Sequence, residues 1–251
     1  MPSEWRLVDS GVVEPPESAA LDEAILDAHS KGEAPNTLHL YRRSVPTISL
    51  GYFQKAAVVV DLDECARRGV ALIRRKSGGS AIYTDSGQLI YGLVVSEGDL
   101  PGGRSESFRT ICSAIAKAIS LFGVDARFRP PNDVEVDGRK VSGNAQLVRK
   151  GSVLQHGTIL VDTDVENMAA VLRVDRSKSQ TLTRASDRVT TLSSILGHPP
   201  EMQDVKDNLV REIGAAFGSE FVRQPLSSEE KELVRSLVNE RYSRRDWNFR
   251  F

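Results

Sequence analysis

The chain has 251 residues and a mass of 27.6 kDa, room for one large domain or two small ones with a buried core. Its 33 Lys+Arg against 34 Asp+Glu give a formal net charge of −1, which argues against a dedicated nucleic-acid binder. Hydrophobic residues at 40% and charged residues at 27% describe a globular chain, and apolar runs such as Leu93-Val94-Val95 are too short to cross a bilayer.

The N-terminus, Met1-Pro2-Ser3-Glu4-Trp5-Arg6, lacks the basic-then-apolar pattern of a secretory leader. Two cysteines, Cys65 and Cys112, cannot make a disulfide framework, so a soluble cytoplasmic protein is expected. Pro15-Pro16-Glu17 ends an opening segment. Ser18 reads as the cap of a helix from Ala19 to His29, with Leu21, Ala24, Ile25 and Ala28 at helical spacing. Leu38 to Tyr41 and Thr47 to Tyr52 alternate like strands. Asp61-Leu62-Asp63-Glu64 opens a short helix that stops at Gly69, and Val70 to Ile73 follows as a strand. Another strand spans Leu89 to Val95. Phe108, Ile111, Cys112, Ile115, Ile119 and Phe122 make one apolar helix stripe. Asp137-Gly138 between Val134-Glu135-Val136 and Arg139-Lys140-Val141 predicts a hairpin with a type I′ turn. Val153 to Val161 is a strand, and from about residue 165 the pattern is mostly helical. Val205, Leu209, Ile213 and Phe217 recur at spacing four, and Ser227 with Glu230 caps a last helix. Strands in the middle and helices at both ends indicate an α+β fold.

Two segments carry chemical potential. Arg74-Arg75-Lys76-Ser77-Gly78-Gly79 sets cations beside two glycines whose backbone N–H groups can approach an anion. It matches neither a Walker loop nor a dinucleotide fingerprint, and it also reads simply as a basic strand end with a glycine turn. In the hairpin, a two-residue turn sets Val136 opposite Arg139, Glu135 opposite Lys140, and Asp133 opposite Ser142. Asp133, Glu135, Lys140, Ser142 and Asn144 then share a face, which is either a solvated surface with a Lys140–Glu135 pair or a site with Gly143 open to a ligand. The four histidines show no metal-ligand spacing, and His156 in an apolar strand reads as a packed histidine. Cys112 lies on its helix's apolar stripe, and nothing marks Cys65 as activated.

Taken together, Ser18 to Ala24, Thr47 to Gln54, Arg74 to Tyr83, Asn132-Asp133-Val134, Gly138 to Ala145 and His156-Gly157-Thr158 resemble lipoate–protein ligase A, in the family's order and from about residue 5 to about 195. The resemblance implies the biotin/lipoate ligase fold, related to class II synthetase domains: a mixed, mainly antiparallel sheet flanked by helices, here one catalytic domain over residues 1–251. It implies activation of lipoate by ATP and Mg2+ to lipoyl-adenylate, then transfer to a lysine of a lipoyl-carrier protein. That carrier is a 2-oxoacid dehydrogenase subunit, a glycine-cleavage H protein or a lipoate-binding protein. By motif position Arg75, Ser77, Gly78, Gly79, Ser80, Ala81, Ile82 and Tyr83 would contact the adenylate, with Gly143 and Thr158 nearby. Lys140 would be the essential lysine near the acyl carbonyl and phosphate. Asp133 would help hold Mg2+ or a bridging water, and His156 would line the acyl pocket.

Ser80 stands where the family usually has a third glycine, and Thr84 where it has a histidine. The ending Tyr242 to Phe251 is similar to the last helix of short, two-component ligases, which implies a separate small accessory subunit in place of a C-terminal domain. Trp247, Phe249 and Phe251 read either as core or as a partner contact. An octanoyl or lipoyl transferase of the same fold is the alternative. Those relatives use a cysteine nucleophile, whereas Arg127 to Asp133 holds none and none follows Cys112. A non-catalytic lipoate- or adenylate-binding subunit is the other alternative.

Overall fold

The computed structural model describes residues 3–173 and 185–251. The chain runs β1 (Ser3–Val13), α1 (Pro15–Ser30), β2 (Thr37–Arg43), β3 (Thr47–Leu50), α2 (Ala56–Val59), α3 (Leu62–Arg68), β4 (Ala71–Arg74), β5 (Ile82–Thr84) and β6 (Gln88–Ser96). It continues through α4 (Arg104–Ser120), β7 (Ala126–Arg129), β8 (Asp133–Val136), β9 (Arg139–Arg149), β10 (Ser152–Leu160) and α5 (Val165–Val171). After the undescribed segment come α6 (Leu192–Leu196), α7 (Met202–Phe217), β11 (Ser219–Arg223), α8 (Ser228–Leu237) and α9 (Arg245–Asn248).

An eight-stranded sheet has the order β11-β1-β2-β6-β10-β9-β8-β7. It is antiparallel except where β1 pairs with β11 and with β2. A small sheet, β4-β3-β5, stands apart and carries the glycine-rich turn between β4 and β5. β6 is central and nearly all buried, so it reads as an unbroken apolar run. Its Leu89, Tyr91, Leu93 and Val95 face the core under α4 and α7, while Ile90 faces the core under α1 and α8.

The local signals explain most boundaries. Asp61 accepts from the Glu64 N–H at 3.0 Å, and Gly69 ends α3 at φ 64°. Ser227 and Glu230 form a reciprocal capping box. The helix expected from Ala19 starts instead at Pro15, where a missing N–H does no harm. Ser18 lies inside it, its hydroxyl donating to Pro15 O at 2.6 Å.

Residues 244–251 fold back on β4. Arg74, fully buried, donates through Nη1 to the carbonyls of Gly51, Tyr52 and Gln54 and through Nη2 to that of Asn248. Asn248 Oδ1 accepts from the Arg74 N–H at 2.8 Å, and Trp247 Nε1 donates to Arg74 O at 2.9 Å. Trp247 packs beside Tyr242 and Phe249 against small-sheet residues, so these two aromatics join intrachain cores. Phe251 stays 45% exposed beside Tyr52 and Phe53. No described helix is long and apolar enough to cross a membrane.

Candidate active site

The glycine-rich turn is held from below by Arg75. Its Nη1 donates to Ser49 O at 2.7 Å, its Nη2 to Gly78 O and Ser80 O at 2.8 Å each, and its Nε to Ser77 Oγ at 3.0 Å. Burial lowers the guanidinium pKa to about 10, so it stays charged at neutral pH. Arg75 thus places its donors on two carbonyls of the turn, the Ser77 hydroxyl and Ser49 O of β3. The C=O and N–H of a trans peptide point oppositely, so with Gly78 O turned to Arg75 the Gly79 N–H is directed outward. Gly79 has φ +98°, and its carbonyl abuts Gly51, where a Cβ would lie 2.0 Å from Gly79 O. Tyr52 N–H donates to Ser77 O at 3.0 Å, and Ala81 N–H to Gln54 Oε1 at 2.7 Å. The Thr47–Gln54 motif and the turn are thus one unit.

Of the predicted turn residues, Gly78, Gly79 and Ser80 are exposed and Ala81 is half-buried, whereas Ser77 is 1% exposed. Ile82 and Tyr83 belong to β5. Tyr83 is buried in the core of the small sheet, its hydroxyl accepting from Asn167 Nδ2 at 2.9 Å, so it does not line the turn's outer face. Thr84 is internal, bonded to Thr47 O and Arg43 Nε at 3.2 Å each.

The hairpin turns at Asp137 (φ 50°) and Gly138 (φ 74°), as expected for type I′. Glu135 faces Lys140 and Val136 faces Arg139, but Asp133 faces Gly143 rather than Ser142. Val141 is an extra residue, a bulge that moves the following side chains to the other face. Ser142 and Asn144 therefore point into the interior, where Asn144 Oδ1 accepts from Tyr91 OH at 2.6 Å. Lys140 Nζ instead meets Asp133 Oδ1 at 2.7 Å above Gly143. Glu135 pairs with Arg129, so the Lys140–Glu135 pair of the sequence reading does not form.

Strand register places these groups on one face. His39, Gly92, His156 and Ala145 make one row across β2, β6, β10 and β9. Tyr41, Ile90, Thr158, Gly143 and Asp133 make the next row, two residues along each of the first four strands. Lys140 thus lies one strand and one row from His156, on the order of 8 Å at standard spacings. Gly92, between the two histidines, leaves room for Asp22 of α1, whose Oδ1 would lie 2.9 Å from a Cβ there. His39 Nδ1 and His156 Nδ1 bond Asp22 at 3.1 and 3.2 Å, Tyr41 OH reaches it at 3.4 Å, and His156 Nε2 bonds Ser77 Oγ at 2.6 Å. Burial pushes the Asp22 carboxyl up, but the histidine N–H donors outweigh it and hold the group well below the usual carboxylate range. Asp22, His39, Tyr41, Gly51 and Gln54 are the site residues that spacing alone missed. Asp22 and His39 sit in ordinary helix and strand patterns, and only strand register brings them to one point.

Neither thiol opens onto this face, although Cys112 lies close enough beneath the sheet to sense the charges of Asp133 and Lys140. Cys112 is fully buried on α4, across the large sheet from Lys140, with its thiol pushed up to about 12 by burial. Cys65 is buried in the core of the small sheet, its thiol pushed up to about 11. Among the described residues no three His, Cys, Asp or Glu side chains converge as a metal cage. Asp133 offers one carboxylate beside Lys140.

A mainly antiparallel sheet with flanking helices, a glycine-rich turn on a satellite sheet and a strand-borne lysine facing it place the protein in the biotin/lipoate ligase superfamily. The chain belongs to the lipoyl protein ligase A/B catalytic domain family, whose model matches residues 14–214. It is 34% identical over 272 residues to the octanoyltransferase LipM of Kyrpidia tusciae, covering 98% of each chain. It is similar to the bi-partite lipoate protein ligase of Thermoplasma acidophilum, solved in a study with its E2 lipoyl domain, at 31% identity and a TM-score of 0.85, covering 98% of this chain and 96% of that one. It is also similar to a lipoate-protein ligase A bound with ATP, at 28% identity and a TM-score of 0.84 over 99% of each chain. The protein is an enzyme of the lipoate ligase and transferase family.

Proposed function

We propose that the chain is the catalytic subunit of an ATP-dependent lipoate–protein ligase. The observation that carries this reading is the burial of both thiols, neither of which opens onto the face of the large sheet that carries Lys140. Acyl transfer through a cysteine thioester needs a thiolate within reach of the acyl carbonyl, and transfer through an adenylate does not. The likeness to an ATP-bound ligase and to a bi-partite ligase supports the same reading.

In the first half-reaction the lipoate carboxylate attacks the α-phosphorus of ATP, the P–O bond to pyrophosphate breaks, and lipoyl-adenylate forms. The outward Gly79 N–H and the Lys140 ammonium stabilise charge growing on the phosphate oxygens. In the second, the neutral amine of a carrier lysine attacks the acyl carbonyl, the bond to AMP breaks, and the amide forms. Lys140 then neutralises the leaving phosphate. Mg2+ arriving with the nucleotide would draw its ligands from phosphate and water, with the Asp133 carboxylate beside Lys140 available to it. Ser77 and His156 act beneath the turn, while Gly78, Gly79, Ser80, Gly143 and Thr158 line its approach. The acceptor is a lipoyl-carrier domain, and a small accessory protein completes the ligase.

The curated relatives favour octanoyl transfer instead, and more strongly than they favour ligation: a series of proteins named octanoyltransferase LipM are 29–34% identical to this chain over 98% or more of both chains. Intact-mass measurement of an apo carrier domain separates the two. A lipoyl increment from lipoate, ATP and Mg2+, with or without the accessory protein, supports the ligase. An octanoyl increment from an octanoyl thioester donor, with none from ATP and lipoate, replaces it with the transferase.

A further inference from the structure

The hydrogen bonds beneath the glycine-rich turn have a direction. Asp22 is ionised and can only accept, so the Nδ1 atoms of His39 and His156 carry their protons toward it. In that tautomer each Nε2 is the ring's acceptor: from Ser10 Oγ at 2.9 Å for His39, and from Ser77 Oγ at 2.6 Å for His156. Ser77 Oγ in turn accepts from Arg75 Nε at 3.0 Å. Donation therefore runs one way, Arg75 to Ser77 to His156 to Asp22, and every proton in it has an acceptor. The order is that of a Ser–His–Asp triad, but Ser77 is 1% exposed and is not presented to a substrate. Its exposed neighbours Gly78, Gly79 and Ser80 are. The chain of bonds thus passes through Ser77, whose hydroxyl ties the exposed turn to His156 of the large sheet, the sheet that also carries Lys140.

We propose that Asp22 is a positioning residue, which through the tautomer of His156 and the hydroxyl of Ser77 sets the glycine-rich turn at its working distance from Lys140. The proposal names how the site described above is held, and it rests on that site being the one where acyl transfer occurs. Asp22 touches no reacting atom. Its effect reaches the turn only through His156, so removing any link removes the same contribution.

The test is Asp22→Asn. The amide keeps the shape but has one acceptor oxygen and a donating NH2 group, so it cannot accept from both Nδ1 atoms. One histidine must carry its proton on Nε2. Nitrogen–proton correlation spectra resolve the tautomers of the chain's four histidines. His156 is expected as the Nδ1–H form, shifting in Asp22→Asn. Kinetics use the acyl donor that the wild-type chain turns over, whether lipoate with ATP, synthetic lipoyl-adenylate or an octanoyl thioester. Failure of the ligase reading therefore shows in the choice of donor and not in this comparison. Asp22→Asn and Ser77→Ala are each expected to lower kcat/KM at least tenfold, and the double variant to fall no further than the lower single. Multiplied losses in the double variant overturn the proposal. So does unchanged kcat/KM in a folded Asp22→Asn whose His156 tautomer has changed; where the spectra show that His39 has changed in its place, the cycle of His156→Gln with Ser77→Ala decides. If Asp22→Asn does not fold, the cycle of His156→Gln with Ser77→Ala reads the same coupling with the same two outcomes.

Discussion

Gly143→Ala separates the position of Lys140 from the stability of the fold. A Cβ at Gly143 would lie 2.4 Å from both Lys140 Cε and Nζ, and 3.7 Å from Asp133 Oδ1. Ordinary contact requires about 3.5 Å or more, so the lysine tip must move by about 1 Å or more, and its 2.7 Å pair with Asp133 breaks. The moving atoms end a flexible side chain that is 32% exposed, and the lost pair is worth at most about 1 kcal/mol in stability. A catalytic group misplaced by about 1 Å loses on the order of a hundredfold in rate. The control is Gly157→Ala, whose Cβ would lie 2.1 Å from Asn144 Oδ1 and 2.8 Å from both Gly143 O and Tyr91 Cε1. That crowding is in the core and costs about 1–3 kcal/mol. Urea unfolding of both variants, beside the rate of acyl-carrier formation, gives the answer. Gly143→Ala should unfold near the wild-type midpoint and react about a hundredfold more slowly. Activity within threefold of wild type would refute the assignment of Lys140 in this pose.

If no thiol takes part, Cys65→Ala with Cys112→Ala retains acyl transfer within a few-fold, and iodoacetamide leaves the native enzyme active. Loss of activity on alkylation of the folded chain would restore the thioester route. Arg74→Lys keeps the charge but not the fork that reaches five carbonyls; it should destabilise by about 3 kcal/mol and change Trp247 fluorescence. Glu230→Gln breaks a buried two-pronged pair with Arg6, at 2.6 and 2.8 Å, and should cost about 3 kcal/mol in urea unfolding. Asp22 has its carboxyl lowered in the folded state, so its stabilising contribution is present above the unfolded value near pH 4 and is lost as pH falls below it. The stability gap between wild type and Asp22→Asn should be full at pH 5 and shrink toward pH 2.

Where an element's identity depends on its own residues, the sequence was enough. The caps at Asp61 and Ser227, the Asp137-Gly138 turn and the stripe from Phe108 to Ile119 all appear where spacing put them. β1 has no readable alternation because its register breaks between Asp9 and Gly11, and in β11 five residues with two charged side chains carry little pattern. Both are fixed by pairing with each other, which local spacing does not encode. The bulge at Val141 had no signature either, yet it decides which side chains accompany Lys140. The ordered motifs located the turn and the lysine. They did not show that Arg75 lies under the turn or that Tyr83 is core, because a motif gives position along the chain and burial is a property of the fold.

Arg74 is held by Gly51, Tyr52 and Gln54 on one side and by Asn248 on the other. The neighbouring turn therefore gains its last support only when residues some 170 positions later have been made and have folded back. Contacts of such separation form late because loop closure must be paid first. A chain still on the ribosome would hold Lys140 and its hairpin, formed by local pairing, before Arg74 at the foot of the glycine-rich turn is fully braced. A nascent or clipped chain lacking residues 244–251 would keep the turn's own bonds to Arg75, Gln54 and His156 but lack the Trp247 and Asn248 contacts to the strand that leads into it.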